Sequence, residues 1–205
     1  MVRFRKIASL VLLALVIVAA GYGISLTRRG FSARGAPSAV EKFAATTALR
    51  LAVPSNYRQL RDPFPSSTEN IQAGMEHFAD HCSTCHANDG SGNSMVGNGL
   101  YPKPPDMRTA ETQNKSDGEL YYTIENGVRL SGMPAFGEHP GTNDADTWRL
   151  VVFIRHLPAL TSEELVEMGT LNPKTEEDRQ EEKDEEEFLN GGEPSGKSVG
   201  EGHHH

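Results

Sequence analysis

The sequence predicts an all-α protein, and three observations carry that prediction. Apolar residues recur at three- and four-residue intervals along several stretches. Four of these stretches open on Ser or Thr with Glu three residues later, at Ser38/Glu41, Ser66/Glu69, Ser116/Glu119 and Thr161/Glu164, the spacing of a helix capping box. No segment alternates with the two-residue period of a strand.

Charge divides the 205 residues unevenly. Residues 1–36 hold six basic residues and no acidic one, whereas 161–205 hold fourteen acidic and four basic, a net of −10. The middle, 37–160, has fourteen acidic against ten basic residues, so the low pI belongs mainly to the tail. No basic stripe exists for nucleic acid. The two cysteines, Cys82 and Cys85, are too few for a disulfide framework or a four-cysteine zinc site.

The elements follow in order. Residues 1–27 form a membrane signal: Arg3, Arg5 and Lys6 precede an uncharged run of twenty-one residues, Ile7 to Thr27, after which Arg28 and Arg29 restore charge. As a helix that run reaches roughly 30 Å, the thickness of a bilayer core. A cleaved export signal ending at Val18-Ala19-Ala20 is the competing reading. The retained anchor is preferred because the apolar run continues through Gly23, Ile24 and Leu26.

Residues 28–65 read as a linker broken by Pro37, Pro54, Pro63 and Pro65. It holds one spacer helix, from Ser38 through Val40, Phe43, Thr47 and Leu51, that is expected to pack on the domain. Residues 66–160 form the domain. A helix capped at Ser66 places Ile71, Met75, Phe78 and Cys82 on one face, with Gly74 beside them; a mid-helix glycine costs up to about 1 kcal/mol, which a close helix approach would offset. A second begins at Ser116, carries Leu120, Ile124 and Val128, and stops at Asn126-Gly127. A third begins near Asn143 or Asp144 and runs through Trp148 to Leu157 before Pro158, apolar over so much of its circumference that it must be buried. In the tail, 161–205, a short helix from Thr161 to about Gly169 precedes Glu176–Glu187, where nine acidic residues against two basic predict a solvated, disordered end. His203, His204 and His205 are assigned no native role.

The chemistry lies in Cys82-Ser83-Thr84-Cys85-His86. Two thiols separated by two residues on a helical turn can each form a thioether with a haem vinyl group, and the next histidine can ligate the iron. A redox dithiol would call for alternating strands and helices, which are absent. A zinc site could be assembled from Cys82, Cys85 and His86 with His77 or His81, but consecutive Cys85 and His86 rarely point at one tetrahedral centre. The opposite axial ligand is sought among Met95, Met107 and Met133. Met133 lies in Ser131-Gly132-Met133-Pro134-Ala135-Phe136-Gly137, a turn-rich segment between two helices that suits a ligand loop.

From the Gly74, Phe78 and Cys82 face through the haem motif to Gly132-Met133-Pro134 and the Trp148 helix, about residues 66–160, the chain resembles a class I, single-haem bacterial cytochrome c. That resemblance implies a cytochrome c fold of three to five helices around one covalent haem c. It further implies that His86 and Met133 are the axial ligands and that the Gly74 and Trp148 helices cross. Tyr101-Pro102-Lys103-Pro104-Pro105 resembles the family's loop in which a proline carbonyl fixes the histidine ring, with Pro104 a candidate haem contact beside Leu120 and Ile124. Met95 and Met107 then read as surface or packing residues, and His77, His81, His139 and His156 as ordinary surface or core residues.

The expected function is single-electron transfer, not enzymatic catalysis, on the periplasmic face of the cytoplasmic membrane, or in the periplasm if the signal is cleaved. Redox proteins and the membrane are the expected partners, with no nucleic acid and no small-molecule substrate. The other readings are a haem enzyme or gas-responsive protein with an open iron position, which requires Met133 to be a core residue, and a haem subunit fixed in a larger complex.

Overall fold

The computed structural model describes residues 2–30, 32–137, 144–174 and 176–189, and among them there is no strand. Helix α1, Val2–Arg29, contains an apolar stretch, Phe4–Ser25, long enough to cross a membrane, and none of that stretch is buried against the rest of the chain. Helix α2, Ala39–Ala52, opens on the capping box of Ser38 and Glu41. Contrary to the expected packing, it buries no side chain, and Phe43 is 73% exposed. Polar contacts link it to the domain: Lys42 Nζ pairs with Glu111 at 3.1 Å, and the Glu41 side chain hydrogen-bonds Tyr101.

The linker's later part docks instead. A turn at Ser55–Arg58 sets Tyr57 against the domain, its ring 5.0 Å from Tyr122 and 6.4 Å from Tyr121. Its carbonyl lies so close to Gly118 that a Cβ there would collide with it.

Helix α3, Thr68–His77, is capped by Ser67, whose hydroxyl accepts from Asn70 N at 3.3 Å. The Ser66/Glu69 box therefore does not form. Extended backbone sits at Ser67 (φ −87°, ψ 157°), the geometry an N-cap requires. Helix α4, Asp117–Asn126, has the expected Ser116/Glu119 box and stops at Gly127, whose φ of +63° suits glycine. Helix α5, Ala145–His156, is capped by Asp144; Asn143 lies outside the described residues.

Helices α3 and α5 cross at Gly74. A Cβ on Gly74 would strike the Arg149 carbonyl and come within 2.8 Å of Phe153 Cβ. The helix therefore accepts glycine in mid-course because backbone meets backbone there. Around the crossing Phe78 packs on Phe153 with ring centroids 5.2 Å apart, and Trp148 stacks on Tyr121 at 4.2 Å. Trp148, Leu150, Val151, Val152, Phe153, Ile154 and Leu157 are all buried, so α5 is enclosed as its composition requires.

Packing extends beyond 66–160 at both ends. Helix α6, Ser162–Leu171, opens on the Thr161/Glu164 box and sinks Met168 completely into the core, while Phe64 and Tyr57 pack from the other side. The acidic run expected to stay disordered forms helix α7, Glu176–Leu189. Glu, Gln and Lys are good helix formers even where nothing is buried, and Gln180 donates to Asp184 at 2.8 Å one turn on. Residues 190–205, including His203–His205, lie outside the described part.

One polar cluster ties the linker to the domain. The Arg155 guanidinium donates to Asp117 Oδ1 at 2.8 and 3.1 Å and to the carbonyls of Gln113 and Lys115. Asp62 sits beside this cluster with Oδ2 buried and unpaired. Burial is the main cause that pushes its carboxyl up to about 6, against a hydrogen bond from Phe64 N and with added repulsion from Asp117.

Two outcomes test this packing. Gly74→Ala gains up to ~1 kcal/mol of helix propensity but overpacks the crossing, so denaturant unfolding should show a net loss of about 1–3 kcal/mol; equal or higher stability would remove the close approach. Because the folded state holds the Asp62 proton more tightly than the unfolded chain, stability should fall as pH rises from about 4 to 6 and stay lower above that. Asp62→Asn should remove that fall, measured as unfolding midpoint against pH.

Candidate functional site

The haem motif is delivered by the C-terminal end of α3. One residue past His77 the helix widens into a π turn, Phe78–Cys82, in which Ser83 N donates to the Phe78 carbonyl. A single α turn follows, Ser83–His86, with buried Ser83 Oγ donating to the Ala79 carbonyl at 2.6 Å. The turn ends at Ala87, where φ +59° and ψ 156° are values that side-chain-bearing residues rarely adopt. This departure turns the chain sharply away immediately after His86.

Cys82 and Cys85 are both free and half-buried. Burial, with a contribution from Cys85, pushes the Cys82 thiol up to about 12. A thiol so reluctant to ionise is a weak nucleophile for disulfide exchange, which needs the anion. His86 is 8% exposed, with its ring centroid 6.5 Å from that of Phe78. Burial lowers its pKa to about 4, so the imidazole is neutral near pH 7 and retains a lone pair for a metal.

The segment from Ala87 to Thr109 wraps back over the motif. Gly92 N donates to the His86 carbonyl at 2.8 Å, and Ser94 Oγ donates to the carbonyls of Thr84 and Cys85 at 2.6 and 3.1 Å. These are end-of-helix carbonyls with no intrahelical partner, and the loop satisfies them. Gly97 lies against the Cys85 carbonyl and Gly92 against the Pro104 carbonyl, each too close for a Cβ. Arg108 closes the loop by pairing with Asp89 at 2.8 Å and Asp106 at 2.9 Å. The proline carbonyl expected to fix His86 does not do so: Nδ1 of His86 is buried without a hydrogen-bond partner, and the Pro104 carbonyl faces Gly92. The reach of that loop is taken up by its packing on the glycine.

Met133 arrives on a loop fastened to the end of α4. Val128 N donates to the Met133 carbonyl, Phe136 N to that of Ile124 and Gly137 N to that of Glu125, each at 3.1 Å. The loop thus satisfies carbonyls left open where α4 ends. Ser131 Oγ accepts from Met133 N at 3.1 Å and donates to the Val128 carbonyl at 2.7 Å. Pro134 lies against Gly127, and Gly132 against the Leu100 side chain. The Met133 side chain is half-buried and packs against the same apolar core as Cys82. Leu120 and Ile124 are buried in that core.

The remaining candidates separate clearly. Met95 is 90% exposed, whereas Met107 is buried in the core. His156 pairs with Glu164 at 2.8 Å, binding α5 to the start of α6. His139 lies outside the described residues. Two residues here carry no sequence signature of a site: Glu125, which is 5% exposed with Oε2 against Gly137 and Oε1 buried without a partner, and Ser94. Ser94 stands three residues before Gly97 in a capping position, a signal that was readable; no local pattern marks a buried glutamate.

Among the described residues no three or more His, Cys, Asp and Glu side chains converge on one point, so Cys82, Cys85 and His86 do not complete a zinc site with His77 or His81. The residues present fit a covalently attached haem instead. Two half-buried thiols flank one helical turn, a buried neutral imidazole adjoins them, and a thioether stands on a separate loop at the same core.

Residues 69–154 match the model of the family described as Cytochrome C oxidase, cbb3-type, subunit III. The matched stretch runs from the first turn of α3 into the last turn of α5 and includes Cys82, Cys85, His86 and Met133. No curated protein matches the chain.

The strain at Ala87 yields a direct check. Such a conformation costs about 1–3 kcal/mol, more than the roughly 0.5–1 kcal/mol of added backbone entropy that glycine brings. Ala87→Gly should therefore raise the thermal midpoint; a fall would show that the turn is unstrained.

Proposed function

We propose that residues 69–154, which match that family model, form a c-type cytochrome domain, and that this chain carries one haem c, bound through Cys82 and Cys85 and ligated by His86 and Met133, for haem-based electron transfer. It acts as an electron relay tethered by α1 to the outer face of the cytoplasmic membrane, passing single electrons between redox proteins without transforming a substrate. The observation that carries this reading is the Cys82–His86 turn, where both thiols and a neutral imidazole sit at the edge of the core. When bound, haem c supplies a one-electron couple between ferrous and ferric iron.

The chain's own residues prepare for that couple. Burial of His86 keeps its lone pair unprotonated well below neutral pH. Two backbone hydrogen bonds hold the Met133 loop to α4 and a third closes the loop on Val128, so the thioether can stay in place in either oxidation state and reorganisation on transfer is small. A soft, neutral thioether favours the reduced iron and raises the potential. Were His86 and Met133 both to hold the iron, no coordination site would be left for a substrate or gas.

The description of the matched family supports a second arrangement, in which the same domain is a fixed haem subunit of an oxidase complex. Co-purification of an oxidoreductase after mild solubilisation distinguishes it from a free relay.

Met133→Ala should lower the midpoint potential by on the order of 0.1 V or more, within the roughly 0.8 V range that axial ligands span. The reduced variant should also bind carbon monoxide rapidly where the unaltered protein does not. An unchanged potential, or rapid carbon monoxide binding by the unaltered protein, would take Met133 off the iron and restore the open-iron reading.

A further inference from the structure

His77 and His81 lie four residues apart on the helix that carries the haem motif, and neither has a part in the function above. Their ring centroids are 4.8 Å apart with the planes tilted by 58°. In a regular α-helix, side chains four apart are offset by about 40° around the axis. Here the π turn begins at Phe78, immediately after His77, and its wider winding brings His81 more nearly over His77. His81 is about half exposed and His77 half-buried, so the pair opens to solvent.

The nitrogens are prepared for a metal. Asp80 Oδ2 lies 3.2 Å from His81 Nδ1, and a carboxylate so close favours a proton on that nitrogen and hence Nε2 as the metal donor. Burial, then the neighbouring His81, holds the His77 imidazole below the ordinary histidine value, so its lone pair is free at neutral pH. Three carboxylates act on His77 from two elements: Asp80 on its own helix, and Asp144 and Asp146 at the start of α5. Asp146 is shared with Arg149 at 3.0 Å, while the other two add to a field that favours a cation.

We propose that His77 and His81 form a two-imidazole site for a divalent transition-metal ion, copper(II) in preference to zinc(II), with Asp80 orienting His81 and water completing the coordination sphere. Imidazole suits both ions, and copper(II) binds nitrogen donors more tightly. No third His, Cys, Asp or Glu converges on the pair among the described residues, so the ion is exchangeable and not structural. The site does not depend on which residues ligate the haem iron.

The test uses the oxidised holoprotein with only His203–His205 removed, since three adjacent histidines bind the same ions. Titration with copper(II) should show one ion per chain, with zinc(II) weaker, and electron paramagnetic resonance should show nitrogen coupling to the copper. His77→Gln or His81→Gln should each weaken copper binding by more than about 10-fold, the lower end of what losing even an outer-shell partner costs. The double variant should lose the nitrogen coupling while the haem absorption spectrum stays unchanged. Copper without nitrogen coupling in the parent protein, a measurement that needs no substitution, would overturn the proposal. So would affinity unchanged in the double variant.

Discussion

The crossing of α3 over α5 at Gly74 is the contact on which the other arrangements rest. At that point the Arg149 carbonyl occupies the space a side chain would need, so the two helices meet backbone to backbone. Phe78 and Phe153 close one side of the contact and Trp148 with Tyr121 the other. Because Phe78 is also the first residue of the π turn, the crossing fixes where Cys82, Cys85 and His86 emerge from the core. Helix packing and ligand presentation are one geometric problem here.

Away from the crossing, the segment after His86 and the one that carries Met133 use the same device. The loop after His86 satisfies carbonyls at the end of the motif turn through Gly92 N and Ser94 Oγ. The Met133 loop satisfies those of Ile124 and Glu125 at the end of α4. Each segment thereby gains a fixed position with little regular structure of its own, the first holding only the short helix Met95–Gly99, because unpaired helix-end carbonyls are expensive to bury. For electron transfer such rigidity matters more than reactivity, since ligands that do not move keep reorganisation small.

Burial then sets the chemistry of the groups so placed. The same desolvation keeps the Cys82 thiol protonated and the His86 imidazole neutral, and it holds the Asp62 carboxyl in its acid form into the mildly acidic range. Near neutral pH the Cys82 and His86 groups are both uncharged. Charge is carried by the Arg108 cluster, the half-buried Arg155 cluster and the acidic helix α7.

Local patterns in the sequence determined the capping boxes at Ser38, Ser116 and Thr161, the Gly127 stop, the enclosure of α5 and the motif from Cys82 to His86, since each depends on residues a few positions apart. Gly74 was legible for a related reason: a mid-helix glycine is costly enough to require a partner. Only the tertiary structure decided that Ser67 and not Ser66 caps α3, that α2 leaves Phe43 exposed while Met168 is buried, and that the Pro104 carbonyl meets Gly92 and not His86. It likewise decided the π turn that brings His77 and His81 together. Those outcomes turn on which of several compatible surfaces meet across long stretches of chain, and short-range periodicity carries no information about that choice.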